Sequence, residues 1–580
     1  TGTAAPSATA TGTAAPSATA TGTAAPSASA TGTAAPSATA AATVPAWFEW
    51  TGVGAAVAVL AWHSGLYDFI CDDAYISFVY ARNLAEHGEL VFNLGERVEG
   101  FTNLAWTLIL AGGMRLGLQP ERVALFGGWL CASGVLAMMP ALTRAMRDGS
   151  QPQGTTERGP LDVVGTWVLA FSAGFACWTS GGLETQLYTL LLTAGILAWL
   201  RERPGLAGLL LGLATAARPE ALLVAGLIGL GRRVAALVRE RRWLPSRSEW
   251  AFAGGLFAVV GPIFAWRLTY YGWPFPNTYY IKTRATADPQ LAAAVFVRGL
   301  HYVWLWLWQS GTLLAAPLVL IAALRRPWRT AMLVGLVAAH ALWVARVGGD
   351  FLGLHRFFVP WMPVVVAAAV TGAGHLGPTV VRLAVARLAV VRLAVTRLGV
   401  ASRGAIVLLA VVLFASWQLN LTMTSLGTGA QQGIEAPGQT RGLAIERARM
   451  GLALAPLLQA DDYSLFDAAG AQPFYGRIRG VDLFGLLSTE IAHTIAATGV
   501  RPGHQVVAPT AWILGLRPTF LLFCARIHRP GQHPPLCPDE GRYLAAGYER
   551  VGVPFELING RAVVYAFLKR GDRIWSGLRP

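Results

Sequence analysis

Several stretches of this chain are apolar for long enough to cross a lipid bilayer, and that restricts what it can fold into more than any other feature. The runs fall at 47–66, 122–143, 161–178, 183–200, 250–270, 302–324, 329–347, 357–376 and 404–421. Inside hydrocarbon every backbone N–H and C=O must find its partner within the protein, so spans of this length fold as helices. Composition agrees. The 580 residues are 54% hydrophobic and 13% charged, against about 25% charged in soluble domains. The expected fold class is a polytopic α-helical membrane protein.

Charge in the loops sets the threading. The net charge of +15 is almost all arginine. A basic chain can serve nucleic acid, but these arginines sit in short loops between apolar runs, as the positive-inside rule requires, so no nucleic-acid partner is expected. Clusters at 144–158, Arg201/Arg203, 232–247, Arg325/Arg326/Arg329 and 382–403 share the cytoplasmic side only if segment 205–231 crosses twice. That segment carries Arg218, Pro219 and Glu220 at its middle. As one helix it would place two charges and a proline at the bilayer centre; as two short helices it presents them at a polar tip. The loop 67–121 is then extracytoplasmic, and the run 104–118, short and carrying Arg115, is an interfacial or re-entrant helix. About eleven crossings result, with the N-terminus inside and residues 426–580 outside.

Three organisational units follow. Residues 1–45 begin with four near-identical decapeptides, TGTAAPSATA, which hold no charge and nothing large enough for a core, so disorder is expected. They lack the basic and apolar regions of a signal peptide. Residues 46–425 form the membrane domain. The loop 377–403 contains the repeat VRLAVARLAVVRLAVTRLGV, whose arginines recur every five residues and therefore scatter round a helix. Residues 426–580 are less apolar, with β-like runs (QVVAPTAWIL, TFLLFCARI, RAVVYAFL) and helical stretches at 440–459 and 488–498, which reads as a soluble α/β domain. Cys131 and Cys177 fall in apolar runs as core thiols. Cys524 and Cys537 can pair if that region is extracytoplasmic.

With this threading the unusual polar motifs share one side of the membrane. They are Asp72–Asp73 after the first span, WTSGGLET at 178–185, ARPE at 217–220, YYGWPFPNTYYIKT at 270–283 and GGDFLGLHRF at 348–357. Each has a structural alternative: Arg218 can simply pair with Glu220, the Pro-rich turn can anchor interfacial tyrosines, and Asp350, His355 and Arg356 can cap helices. Asp72 can be the N-cap of a helix starting near Ala74, leaving Asp73 free. None of these explains the convergence, which marks a site. A transporter or flippase for a lipid-linked saccharide would spread charge through the mid-membrane and show inverted repeats; a receptor or scaffold would not need so many spans.

The residues also resemble a family. DDAYISFVYARNLAEHGELVFNLGERVEGFTN is similar to the first external loop of the GT-C class of polyprenyl-phosphate-dependent glycosyltransferases, and more narrowly of the mycobacterial terminal β-(1→2) arabinofuranosyltransferase family. SGGLET, ARPEALL, YYGWPFPNTYYIK, GGDFLGLHRFFVP, DAAGAQPFYGRIRGVDLFGLL and IAHTIAATGVRPGH follow in the same order. The chain departs from the pattern at Leu487–Ser488, where relatives tend to carry Thr-Asp. The resemblance implies a GT-C-like fold in a bacterial cytoplasmic (inner) membrane and an inverting transferase taking a sugar, best arabinofuranose, from a polyprenyl-phosphate donor to a cell-envelope glycan or glycolipid. Mannose and aminoarabinose are the alternative sugars. Asp72 or Asp73 would be the general base. Arg356 and Lys282, then His355 and Arg218, would meet the leaving phosphate. Glu99, Asn103, Glu184, Asn277 and Asp350 would orient sugar hydroxyls, with Arg82, Glu220 and Tyr280 as further substrate-binding candidates. Some members of the class use a divalent cation near the aspartate and others do not; no clean ligand set stands out here, so metal-independent transfer is the expectation.

Overall fold

The computed structural model describes residues 44–148, 158–284, 287–325, 328–375 and 403–579; the decapeptide and RLAV repeats lie outside them. The chain enters with α1 (Ala46–Gly65), followed by a polar segment that folds as α2 (Asp72–His87) and α3 (Leu104–Arg115). Then come α4 (Pro120–Asp148), α5 (Val164–Phe171), α6 (Ala173–Ser180), α7 (Thr185–Leu200), α8 (Pro204–Ala217), α9 (Ala221–Val238) and α10 (Arg247–Tyr270). The short α11 (Asn277–Arg284) leads to α12 (Pro289–Gln309), α13 (Thr312–Arg325), α14 (Trp328–Arg346), α15 (Met362–Gly374) and α16 (Arg403–Ser425). Seven helices among the described residues are long and apolar enough to cross a membrane, or eight if the bent pair at Ser172 counts as one, so the chain is a multi-pass membrane protein. The equally long α1, which carries Glu49 and His63, is not among the seven.

The break expected in the 205–231 segment is present, and two further spans differ from the expected straight helices, each for a local reason. The 205–231 segment breaks at Arg218–Glu220 into α8 and α9, as its central proline requires. The run 161–178 is not one helix: it bends by 61° where Ser172 is extended. The run 302–324 is also two helices. They part at Ser310–Gly311, where Gly311 takes a left-handed conformation (φ 76°) and the Ser310 hydroxyl accepts from the Thr312 amide at 3.3 Å.

After α16 the chain forms a small hairpin, β1 (Ala430–Gln431) with β2 (Ile434–Glu435), then α17 (Pro437–Leu454) and a five-stranded mixed sheet. The strands β3 (Ser464–Phe466), β4 (Gly480–Asp482), β5 (Phe520–His528), β6 (Tyr548–Glu556) and β7 (Ala562–Arg570) run in the order β4-β3-β5-β7-β6. The β4-β3-β5 pairings are parallel, and those of β7 with β5 and β6 are antiparallel. Of the expected strands, QVVAPTAWIL is instead a loop and a helix, Thr510–Leu516, that starts directly after Pro509. Cys524 and Cys537 form a disulfide, while Cys71, Cys131 and Cys177 are buried free thiols.

The α2–α3 segment and the sheet share one apolar core. Val79, Tyr80, Leu90, Phe92 and Phe101 pack with Leu465, Phe466, Val481 and Phe520. Asn93 finishes the unpaired edge of β4: its amide nitrogen donates to the Gly480 carbonyl at 2.9 Å, and its side-chain oxygen accepts from the Gly480 amide at 3.0 Å. The Arg82 guanidinium donates to the Phe474 carbonyl at 2.8 Å, so the polar stretch after α1 is held from above by the C-terminal layer and from below by the helix bundle.

Candidate functional site

A cavity of about 500 Å³ opens between these layers. Its floor comes from the helix ends and loops: Asp72, Asp73, Asn103, Glu184, Arg218, Lys282, Asp350 and Arg356 all line it. Its roof comes from the C-terminal layer, through Glu435, Arg447, Asp467, Asp482, Arg501 and His504. The sequence reading selected the floor and missed the roof. The roof segments DAAGAQPFYGRIRGVDLFGLL and RPGH carry part of the family resemblance, but nothing in their spacing says that they face the aspartate doublet.

The two aspartates are not equivalent. Asp72 is not an N-cap; it is the first residue of α2, behind Cys71. Its carboxylate turns to the roof, accepting from the Ala471 amide at 2.9 Å and from Arg447 at 3.1 Å. The fit is close enough that a side chain on Gly470 would place its Cβ 2.1 Å from the Asp72 carbonyl oxygen. Asp73, one residue on, is half-buried at the floor. Among the described residues it is the cavity-lining carboxylate with no hydrogen bond or ion pair. Burial lifts its carboxyl to about 6, against the opposing pull of Arg356.

Cations gather on the same floor. Arg218 pairs with Glu184 at 2.9 Å and with Glu220, and Arg356 donates to Asp350 at 2.8 Å. Lys282 has no ion pair among the described residues, and burial pulls its amine below the usual lysine range. The three converge on one ring: the charged groups of Arg218, Lys282 and Arg356 stand 4.9, 5.6 and 5.4 Å from the centroid of Phe357. A phenyl face tolerates such company through its quadrupole. Asn103 ties the floor together, donating to Glu184 at 2.8 Å and exchanging hydrogen bonds with Ser77.

Six selected residues stand behind the wall. Glu99 is buried against Arg267 at 2.9 Å; its second oxygen has no partner, and burial raises its carboxyl to about 7. The Asn277 side chain donates to the Leu486 carbonyl at 3.2 Å, joining α11 to the roof. Tyr280 packs against His493, the two rings tilted by 38° with centroids 4.0 Å apart. Glu220 and Arg82 are engaged as described. His355 is left-handed (φ 57°) and meets the Gln309 side chain at 2.8 Å. Among the described residues no three His, Cys, Asp or Glu side chains cluster as a metal site.

No family model matches the sequence. Over 346 residues it is 29% identical to the terminal beta-(1->2)-arabinofuranosyltransferase of Mycobacterium tuberculosis (strain ATCC 25618 / H37Rv), covering 52% of each chain; it thus spans about half the length of that curated relative. The fold matches ArnT from Cupriavidus metallidurans, with a TM-score of 0.53 to the form bound to undecaprenyl phosphate and 0.51 to the apo form. Those matches cover 90% of this chain and 98% of ArnT at 14% and 15% identity. The architecture is therefore that of ArnT, and the likeness in sequence is to the terminal arabinofuranosyltransferase.

Proposed function

We propose, from the shared GT-C fold and the arabinofuranosyltransferase likeness, that this protein transfers arabinofuranose from a polyprenyl-phosphate donor to a cell-envelope glycan or glycolipid at the outer face of the cytoplasmic membrane. One observation carries the reading. Among the described residues, a carboxylate without an ion pair, Asp73, lines the same cavity floor as three cations, one of them, Lys282, also without an ion pair, between helix ends on one side and a polar layer on the other. The donor's phosphate suits the cationic floor, where the bundle gives access to its prenyl tail. The acceptor's hydroxyls suit the roof, where acidic and basic groups alternate.

In the transfer the acceptor oxygen attacks the anomeric carbon while Asp73 takes its proton. The bond from that carbon to the phosphate oxygen breaks, and its electron pair leaves with the polyprenyl phosphate. Lys282, Arg356 and Arg218 stabilise the charge gathering there. Asp72 does not touch the substrate in this account; it fastens α2 to the roof so that Asp73 points inward. The proposed threading has eleven crossings, with α5–α6 and α12–α13 each counted as one broken span and α3 not crossing. The disulfide supports an oxidising side for the C-terminal layer.

The test is an assay of purified protein in lipid nanodiscs with polyprenyl-phosphoryl arabinose and, in parallel, the mannose and aminoarabinose donors. Release of polyprenyl phosphate with the arabinose donor supports the proposal. Release with another donor alone replaces the sugar, and transbilayer movement of donor without release makes the protein a flippase.

A further inference from the structure

Gln418, in the middle of α16, is 1% exposed and sits where two spans are broken. Its side-chain oxygen accepts from the Ala173 amide at 3.1 Å, the N–H freed by the bend between α5 and α6. Its side-chain nitrogen donates at 2.8 Å to the carbonyl of Gln309, the last residue of α12. Broken helices survive in lipid only when neighbours satisfy such freed groups, and one amide here serves two breaks. The opposite side of the first break is met by His63, whose Nδ1 lies 3.1 Å from the Ala170 carbonyl.

The chain of bonds continues to the site. The Gln309 side-chain oxygen is 2.8 Å from His355 Nε2, which must therefore be the protonated ring nitrogen. His355 and Leu354 are consecutive left-handed residues, at φ 57° and 53°. Such conformations persist where the surroundings over-determine them. The restraints are visible: Trp178 donates to the Gly353 carbonyl at 3.2 Å, the Phe358 amide donates to the His355 carbonyl at 2.8 Å, and Gln309 holds the ring. Arg356 leaves the chain directly after this corner, and its guanidinium lies 5.5 Å from the Trp178 ring.

We infer that Gln418 is a positioning residue for Arg356: by fixing the end of α12 it places Gln309, which holds the strained Leu354–His355 corner that aims the guanidinium at the donor phosphate. This rests on the proposed function for the identity of the phosphate. Gln418 touches no substrate.

The test is a double-mutant cycle between Gln418→Leu and Arg356→Ala in the full-length protein in nanodiscs, read by binding of undecaprenyl phosphate and by kcat with the arabinose donor. Gln418→Leu is expected to weaken undecaprenyl phosphate binding and lower kcat by tenfold or more, leaving KM for the acceptor within about twofold. In the Arg356→Ala background the same change should do nothing further, since coupled residues are non-additive. Gln309→Leu repeats the measurement if Gln418→Leu does not fold. Equal losses in both backgrounds would show a general packing role and overturn the inference, as would no loss in either. Binding of undecaprenyl phosphate without sugar transfer by the unaltered protein counts against the proposed function and still leaves the cycle readable.

Discussion

The doublet Asp72–Asp73 shows how much one residue of helical offset decides. Consecutive residues on α2 point about 100° apart, so one carboxylate reaches Arg447 in the roof of the cavity and the other stays at its floor. The Asp72 side chain forms an ion pair and accepts a backbone bond. Asp72→Asn keeps an oxygen for Ala471 but removes the nearer charge partner of Arg447, leaving it Asp467 at 3.9 Å, so its expected cost is mainly to stability, about 1–3 kcal/mol by thermal or denaturant unfolding. Asp73→Asn should leave stability unchanged or slightly raised and cut kcat by about 10²–10⁴. Because burial lifts Asp73 to about 6, its basic form is lost as pH falls through that value; kcat/KM should rise with pH up to about 6 and then level. Inversion at the anomeric carbon is the outcome for Asp73 as base, and a retained configuration would make it a nucleophile instead. Lys282→Ala should weaken donor binding at least tenfold, with Lys282→Arg recovering most of it, as measured by donor KM.

At the level of elements, the sequence announced the helix bundle more clearly than its joints. Arg218-Pro219-Glu220 in an apolar run forced the break between α8 and α9, because a proline and two charges have one cheap location. The breaks at Ser172 and Ser310–Gly311 were not legible, since the groups that repair them, His63 and Gln418, lie on distant helices. Likewise the roof of the cavity was hidden: Arg447 comes from the exposed-looking helix α17 and becomes a site residue only once α17 docks on α2. The floor was legible because ionisable groups at membrane boundaries need a reason. Docking itself is testable through Asn93, whose two bonds to Gly480 finish the sheet edge. Asn93→Ala should loosen the α2–α3 segment, seen as faster amide exchange over residues 90–101 and in β4, with a smaller loss of kcat than Asp73→Asn.

For the whole molecule, threading and covalent state belong together. If the C-terminal layer is outside, Asn559→Cys is labelled by a membrane-impermeant maleimide on intact cells, whereas Trp243→Cys is labelled only after permeabilisation. The reversed pattern would invert the proposed topology. The free cysteines Cys71, Cys131 and Cys177 are buried and give little background. Reducing Cys524–Cys537 should destabilise the C-terminal layer by about 3 kcal/mol, the entropy of closing a loop of this length, measured as a lower unfolding temperature with reductant. The most direct measurement is sugar transfer from polyprenyl-phosphoryl arabinose by the unaltered protein, Asp72→Asn and Asp73→Asn side by side. With Asp73 as base, the first two transfer sugar, Asp72→Asn at a reduced rate, and kcat in Asp73→Asn falls by about 10²–10⁴; transfer at an undiminished rate in Asp73→Asn would contradict that role.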